Sequence, residues 1–176
     1  TMIGTLAFSQ TLKEFREKGH NAFKNGNIDE AIQIYKKGIE TFPKDATLYN
    51  NLGWMYYLKD DYKNAIVFLQ KANNLEPNDA QTLRNIAESY YVSNNQDSAL
   101  VYANQAVKLN DKDGYGYFLK GKILMEQQKY ELAITELDKA ATLNPDGSGI
   151  YEKRGFSKLM LEQYEEAIKD FNTLIK

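Results

Sequence analysis

Apolar residues along the chain recur at spacings of three and four, the period of a helix that buries one face. Segment 46–79 shows this pattern most clearly and predicts two helices, over 46–58 and 63–75, joined by a turn at residues 60–62. Pro77 ends the second helix, because proline has no backbone N–H to donate and clashes with the preceding turn. The apolar positions expected to pack the two helices together are Tyr49, Leu52, Tyr56, Ile66, Leu69 and Leu75.

This helix pair recurs along the chain with a fixed period of 34 residues. Three columns of mostly small residues mark the period, and small residues let neighbouring helices approach closely. One helix pair cannot bury both of its faces, so we expect successive pairs to stack around a continuous core. The columns are Gly19, Gly53, Ala87, Gly121 and Gly155; Ala31, Ala65, Ala99, Ala133 and Ala167; Gly38, Ala72, Ala106, Ala140 and Leu174; a larger column of Phe15, Tyr49, Leu83, Tyr117 and Tyr151; and the three prolines Pro43, Pro77 and Pro145.

The pattern resembles the tetratricopeptide repeat, a helix-turn-helix unit of the same period with aromatic, Leu-Gly, Tyr, Ala, aromatic, Ala and Pro columns. The second unit matches it most fully, as TLYNNLGWMYYLKDDYKNAIVFLQKANNLEPND. The third unit departs from it, with Ala87 for glycine, Ala103 for the bulky residue and Asp111 for proline. The resemblance implies an all-α, right-handed helical-repeat solenoid of antiparallel helix pairs, with about five repeats. It does not name a function, because one fold hosts many.

The period divides residues 12–176 into a single domain. Its final unit lacks its end and a polar capping helix, which solenoid ends normally need. The apolar positions of the final helix therefore indicate either a fragment of a longer chain or an end that packs against another subunit. The predicted repeats are 12–45, 46–79, 80–113, 114–147 and 148–176, and the apolar positions of the last helix are Ala167, Ile168, Phe171, Leu174 and Ile175.

Residues 1–11 lie outside the repeat, and two interpretations of this N-terminal extension stay open. Residues 2–8 are uncharged and mostly apolar, and Ala7-Phe8-Ser9 has the small-x-small form of a signal-peptidase site. The segment is then the tail of a signal peptide, and the protein is extracytoplasmic or periplasmic. Alternatively it is a short extension packed over the first repeat, and the protein is cytoplasmic.

Composition excludes most catalytic and cofactor chemistry. The chain has no cysteine, which removes disulfides, thiolate metal sites and cysteine nucleophiles, and its one histidine excludes sites with two histidine ligands. With 22 Lys and Arg against 24 Asp and Glu, there is no cationic surplus to drive nucleic-acid binding. No apolar run approaches the roughly 18 residues of a membrane span. We therefore expect no metal, no cofactor, no nucleic-acid partner and no membrane span.

Two motif-like runs fit the repeat better than they fit a ligand site. Residues 116–122 have the glycine spacing of a phosphate-binding loop, but Ile123 replaces the hydroxyl residue and the run lies inside a predicted helix. Residues 111–114 resemble part of a calcium loop counted from Leu109, but Lys120 stands at the twelfth position, where the bidentate glutamate belongs. We interpret the second run as a turn between repeats, and we expect no catalytic residues and no enzyme.

The resemblance places the binding surface on the first helix of each pair, since in this family those helices line a concave groove. Aromatic and arginine side chains, which are enriched in binding hot spots, occur at the corresponding positions. The groove is therefore the predicted site for a peptide or protein partner. The predicted groove residues are Arg16, His20, Asn51, Trp54, Tyr57, Arg84, Tyr91, Phe118, Lys122 and Phe156.

One subgroup of the family binds acidic C-terminal tails of chaperones through a carboxylate clamp. Arg16, His20 and Asn51 fall on its first three positions, with histidine in place of an asparagine. Gln81 and Asn85 replace the lysine and arginine of its third unit, which removes the charge-assisted hydrogen bonds that hold a carboxylate. We expect the clamp to be absent.

These observations predict a non-enzymatic protein–protein interaction scaffold that binds a peptide or protein segment in its groove. Two alternatives stay open. The chain could be a structural spacer that self-associates, as a homodimer through its C-terminal helix, or the sensory or docking domain of a larger enzyme.

Overall fold

The computed structural model describes residues 2–174, and the side chains of residues 11–174 apart from Ser148. These residues form ten α-helices joined by short turns, with no β-strand among them. The chain divides into two compact units, Thr1–Ser89 and Tyr90–Lys176. The helices are α1 (Met2–Lys24), α2 (Ile28–Thr41), α3 (Ala46–Leu58), α4 (Tyr62–Leu75), α5 (Ala80–Val92), α6 (Gln96–Leu109), α7 (Gly114–Glu126), α8 (Tyr130–Leu143), α9 (Ser148–Met160) and α10 (Tyr164–Thr173).

Consecutive helices pack against each other in both units. Within the pairs, α1 contacts α2 and α3 contacts α4 in the first unit, while α7 contacts α8 and α9 contacts α10 in the second. The second helix of a pair also packs on the first helix of the next, as α2 does on α3, α6 on α7 and α8 on α9. This is the stacking that the repeat predicts, and the predicted all-α helical-repeat architecture is confirmed.

Small residues set how closely the helices of a pair approach. A Cβ atom added to Gly53 of α3 would lie 2.6 Å from Leu69 Cγ of α4. The same substitution at Gly121 would meet Leu137 Cγ at 2.6 Å, and Ala65 and Ala133 are fully buried in the facing helices. Since real Cβ atoms do not come this close to a branched side chain, a larger residue in the glycine column would push the helices apart.

The turn inside each pair is built in the same way five times. One residue adopts a left-handed backbone, and the N–H of the next residue donates to the carbonyl five residues earlier, as Asp61 N does to Tyr56 O at 3.0 Å. This is the hydrogen bond of a Schellman motif. This arrangement closes the end of the first helix and turns the chain into the second. The left-handed residues are Gly26, Asp60, Asn94, Gln128 and Glu162, again one period apart.

The helix bounds follow the predictions closely in the second repeat. Helix α3 has the predicted bounds, while α4 begins one residue earlier than predicted, at Tyr62. The earlier start follows from Asp61, whose side chain accepts a hydrogen bond from the backbone N–H of Asn64 at 3.1 Å and so caps the helix. Residues 116–122 lie inside α7 and residues 111–113 form the turn before it, which confirms both structural interpretations.

At the N-terminus, α1 runs from Met2 to Lys24, so its backbone is helical through most of the predicted extension. The signal-peptide hypothesis concerns side chains that lie outside the described ones, and it stays a prediction, as does the division into an extension and five repeats. Among the described residues, no helix combines the length and the apolar character needed to cross a bilayer.

Candidate functional site

In the first unit, Trp54 and Tyr57 form a stacked aromatic pair on α3. Their ring centroids lie 4.6 Å apart with the planes only 10° from parallel, and both side chains are half-buried. Tyr62, at the start of α4, adds a third ring 5.7 Å from Tyr57. Two of the predicted groove residues are therefore brought together as one aromatic surface, of the kind that supplies contact area at low conformational cost.

Glu88, a buried side chain of α5, anchors this aromatic pair. Burial raises the pKa of Tyr57 well above its ordinary value, and the negative charge of Glu88, together with its hydrogen bond to the tyrosine, raises it further. The phenol therefore stays protonated and donates to Glu88, which fixes the ring that supports Trp54. Glu88 lies in the same repeat column as Trp54 and Lys122.

The polar candidates of the first unit contact other side chains of the same unit. Arg16 forms an ion pair with Asp45, and Asp45 also caps α3 by accepting from the backbone N–H of Leu48 at 2.9 Å. Asn51 hydrogen-bonds Tyr35, whose pKa is raised chiefly by burial and lowered in part by that bond. His20 is exposed, with Phe23 6.3 Å away, and Arg84 is half-buried on α5.

A polar cavity of about 290 Å³ lies between the starts of α3 and α5. Asn50 Oδ1 lies 3.2 Å from both Thr82 Oγ1 and Asn85 Nδ2, so three side chains from two helices share one hydrogen-bond network. Two residues that the clamp comparison singled out, Asn51 and Gln81, line this cavity as uncharged amides.

In the second unit, two predicted groove residues with aromatic rings meet around a third predicted residue, Lys122. The Nζ atom of Lys122 lies 4.6 Å from the ring centroid of Tyr91 and 5.4 Å from that of Phe118, within cation–π range of both. Tyr115 extends the cluster, 6.0 Å from Phe118. Burial raises the pKa of Tyr91, and the nearby carboxylate of Glu126 raises it further. The result is a cation held between two aromatic faces.

Phe156, the fourth candidate of this unit, lies apart from that cluster on α9. Its side chain is 43% exposed and lines a cavity of about 410 Å³ together with residues from α7, α8 and α10. The structure thus places the ten predicted residues in two sets. Arg16, His20, Asn51, Trp54, Tyr57 and Arg84 belong to the first unit, and Tyr91, Phe118, Lys122 and Phe156 belong to the second.

The charged groups of these surfaces pair with neighbouring side chains. Across the described side chains, no group of three or more histidine, aspartate or glutamate residues is placed to hold a metal ion. The charged groups at the two surfaces are instead arranged as ion pairs, tyrosine–carboxylate hydrogen bonds and cation–π contacts. Those arrangements suit recognition of another molecule.

Two family models match the chain where the helix pairs are clearest. A tetratricopeptide-repeat model matches residues 16–81, and a second model of the same repeat matches residues 121–161. The chain belongs to the tetratricopeptide-repeat family. Members of this family bind protein partners, and the resemblance drawn from the sequence columns is confirmed.

A tetratricopeptide-repeat segment of a known receptor is similar to part of the chain. The mitochondrial import receptor subunit TOM70 of Homo sapiens is 35% identical over 57 residues, which are 32% of this chain and 9% of the receptor. The chain therefore matches only a small part of that relative.

Solved tetratricopeptide-repeat structures match nearly the whole chain in fold. A fragment of MamA from Desulfovibrio magneticus superposes with a TM-score of 0.86 at 20% identity, covering 93% of each chain. YrrB, described as a TPR protein with an unusual peptide-binding site, superposes with a TM-score of 0.79 at 20% identity, covering 96% of this chain and 91% of its own. At this identity the likeness establishes the fold alone.

Proposed function

We propose that the chain is a non-enzymatic scaffold that binds a peptide or protein segment at the predicted groove residues. The observation that carries the proposal is the stacked pair of Trp54 and Tyr57, an aromatic surface that is half-buried while its supporting hydroxyl is fixed by Glu88. Such rigid, partly exposed aromatic surfaces are typical of interaction hot spots. The described peptide-binding site of YrrB, which has the same fold, supports the proposal.

The second unit has a surface of its own, in which Lys122 supplies a positive charge. Its position between Tyr91 and Phe118 lets it meet a polar group of a partner while the rings supply apolar contact. The near-neutral charge of the chain, formally −2, favours a protein partner over nucleic acid.

A peptide selection tests the proposal. Random twelve-residue peptides displayed on phage are selected against the wild-type chain, and the affinities of the recovered peptides are measured by isothermal titration calorimetry. We expect Trp54→Ala or Lys122→Ala to weaken the binding of the recovered peptides by about fivefold or more, since hot-spot truncations cost more than about 1 kcal/mol. Val67→Ala, a change at an exposed apolar residue of α4, is the matched control and should leave affinity unchanged. Peptides that bind both groove variants as tightly as wild type would contradict the proposal.

A second candidate function, self-association, is favoured by the exposed face of α10. Ile168 is 57% exposed, whereas Ile32, its repeat equivalent on α2, is 5% exposed because α3 packs over that helix. Tyr164, one helical turn before Ile168, is 55% exposed and extends the same surface. We propose that a second copy of the chain covers this face.

Light scattering across a concentration series tests the second candidate. A homodimer should give twice the monomer mass, and Ile168→Lys should return it to the monomer by burying an unpaired charge in the interface. Val101→Lys, an equally exposed apolar site on α6, is the control and should leave the dimer intact. A monomeric mass for the wild-type chain at millimolar concentration would contradict self-association. Phe171 is unsuitable as a test site, because its ring packs on Gly155 within the fold.

A further inference from the structure

The cavity that Phe156 lines combines an apolar wall with two carboxylates. It is bounded by the end of α7, the start of α8, one face of α9 and a ring of α10, and its volume is about 410 Å³. We name it the α7–α9 pocket, and its principal side chains are Met125, Glu126, Tyr130, Glu152, Phe156 and Phe171. All of them lie in the second unit.

The apolar wall of the pocket is held rigidly by the fold. Met125 is buried, and Phe171 packs so closely on α9 that a Cβ atom added to Gly155 would lie 2.7 Å from its ring. Phe156 stands against this fixed surface with 43% of its side chain exposed. The pocket therefore offers a preformed apolar surface that a long side chain can contact without ordering the wall first.

The charge of the pocket is negative. Glu126 and Glu152 face one cation, Lys153, whose Nζ atom lies 2.8 Å from Glu152 Oε1. The pairing of Lys153 with Glu152 leaves Glu126 as the surplus charge. The hydroxyl of Tyr91 donates to Glu126 only at 3.5 Å, and a carboxylate has about four lone-pair positions, so further donors can be accepted. Lys122 is not one of the lining residues of the pocket, and its Nζ atom lies over the rings of Tyr91 and Phe118.

An apolar wall that ends in a surplus carboxylate matches a side chain with an aliphatic stem and a cationic head. Lysine and arginine place their methylene stems along apolar surface while the head meets polar groups. Arginine fits this pocket better, because its planar guanidinium both stacks on an aromatic face and donates two parallel hydrogen bonds to a carboxylate. A glutamate or aspartate side chain would instead meet Glu126 with like charge.

We infer that the α7–α9 pocket binds an arginine side chain of the partner peptide, with the stem against Phe156 and Met125 and the guanidinium at Glu126. This inference rests on the proposed function, since it names one specificity pocket of the same peptide-binding chain. It assigns to Glu126 and Glu152 a role in choosing the partner, and neither residue was among the predicted groove residues.

Three fluorescein-labelled peptide pools test the inference by fluorescence anisotropy with the whole chain. Each pool is a nine-residue peptide with random flanks and one fixed central residue, which is arginine, norleucine or glutamate. We expect the arginine pool to bind wild type about tenfold more tightly than the norleucine pool, the worth of one charge-assisted hydrogen-bond pair. The double variant Glu126→Gln, Glu152→Gln should bind both pools equally, with the norleucine pool unchanged.

A charge-matched control separates the pocket from the net charge of the unit. Glu131→Gln with Glu162→Gln removes the same charge from exposed positions outside the pocket lining and should keep the tenfold preference. The reversal Glu126→Lys should shift preference to the glutamate pool. Phe156→Ala should weaken the arginine and norleucine pools alike, because both lose the apolar wall.

The outcomes distinguish this inference from the proposed function. Equal binding of the three pools by wild type, or an arginine preference that survives in the pocket variant, overturns the arginine pocket and leaves peptide binding standing. A preference lost equally in the control variant also overturns it, since net charge alone would then explain the selectivity. Failure of every pool to bind wild type contradicts both proposals.

Discussion

The helix pairs α3–α4 and α9–α10 share one backbone plan but hold their helices together with different chemistry. In α3–α4, Tyr56 stacks on Phe68 with ring centroids 5.4 Å apart. At the equivalent positions of α9–α10, Lys158 donates to Asp170 at 2.8 Å. Leu52 of the first pair corresponds to Arg154 of the last, which also donates to Asp170. The same three positions of the repeat can therefore hold either apolar and aromatic contacts or a partly buried ion-pair network.

The comparison teaches which parts of the repeat are fixed by geometry and which are not. The glycine column keeps the helices of both pairs close, with an added Cβ colliding at Gly53 and at Gly155 alike. The side chains next to that column, such as Tyr56 and Phe68 or Lys158 and Asp170, need only to complement each other. Burial raises the pKa of Asp170, but hydrogen bonds from Arg154 and Lys158 outweigh it and hold the pKa below its ordinary value. The carboxylate therefore stays ionised between its two cations.

The largest effect is expected from removing Asp170, which is the shared partner of two cations. Asp170→Ala should lower the local free energy of opening of α9–α10 by about 3 kcal/mol, because it leaves Arg154 and Lys158 without their partner in a partly buried layer. Hydrogen exchange of the α10 amides measures this directly. Asp138→Ala removes the exposed partner of Arg154 instead and should change the same exchange by less than about 1 kcal/mol. Equal effects of the two variants would show that the buried ion pairs of Asp170 stabilise α9–α10 no more than the exposed ion pair of Asp138 does.

The corresponding change in the aromatic pair should be smaller. Phe68→Ala removes the ring that stacks on both Tyr49 and Tyr56, and we expect it to lower the local free energy of opening of α4 by about 2 kcal/mol, since Phe68 is only half-buried. Unlike the Asp170 effect, this loss should be the same in 0.1 M and 1 M NaCl, because no charge is involved. A salt-dependent loss at Phe68 would erase the distinction between the two pairs.

Exchanging the chemistry of one pair for that of the other should change stability least. The triple variant Arg154→Leu, Lys158→Tyr, Asp170→Phe gives α9–α10 the residues found at the same positions of α3–α4. Replacement of a whole buried ion network by apolar residues is often neutral or stabilising, so we expect a change within about 1 kcal/mol by hydrogen exchange. A loss as large as that of Asp170→Ala would mean that the α9–α10 backbone demands the ion pairs.

Lowering the pH should change the stability penalty of Asp170→Ala but not that of Phe68→Ala. The folded-state pKa of Asp170 is depressed, so its contribution is present above the unfolded-state pKa, about 3.9, and is lost as pH falls through the lower folded value. Between pH 7 and pH 5 the penalty of Asp170→Ala should therefore stay constant, and below about pH 4 it should shrink. The penalty of Phe68→Ala should not change over that range. Urea denaturation of both variants at pH 6 and pH 3 checks this expectation.

The sequence predicts the helices because their signals are local and repeated. Apolar spacing places α3 to the residue and Pro77 marks the end of α4, and only the capping side chain of Asp61 moves the start of α4. The turns were less predictable. Glycine, asparagine and aspartate tolerate a left-handed backbone, which gives a signal at Gly26 and Asn94, but Gln128 and Glu162 adopt it without any side-chain preference for it.

The candidate surfaces could be predicted only where one helix supplies both partners. Trp54 and Tyr57 are three residues apart on α3, so their contact follows from helical geometry. The hydrogen bond from Tyr57 to Glu88 and the ion pair of Arg16 with Asp45 join different helices, and their identities depend on how the pairs stack. The α7–α9 pocket depends on four helices at once, which is why Glu126 and Glu152 gave no signal in the sequence.

The five left-handed turns join the two helices of every pair in the same way. The conformation of each turn depends on one left-handed residue and one backbone hydrogen bond. It does not depend on the side chains that the helices display. The same turn can therefore join helices that display aromatic, cationic or acidic contacts, as the pairs α3–α4 and α9–α10 do.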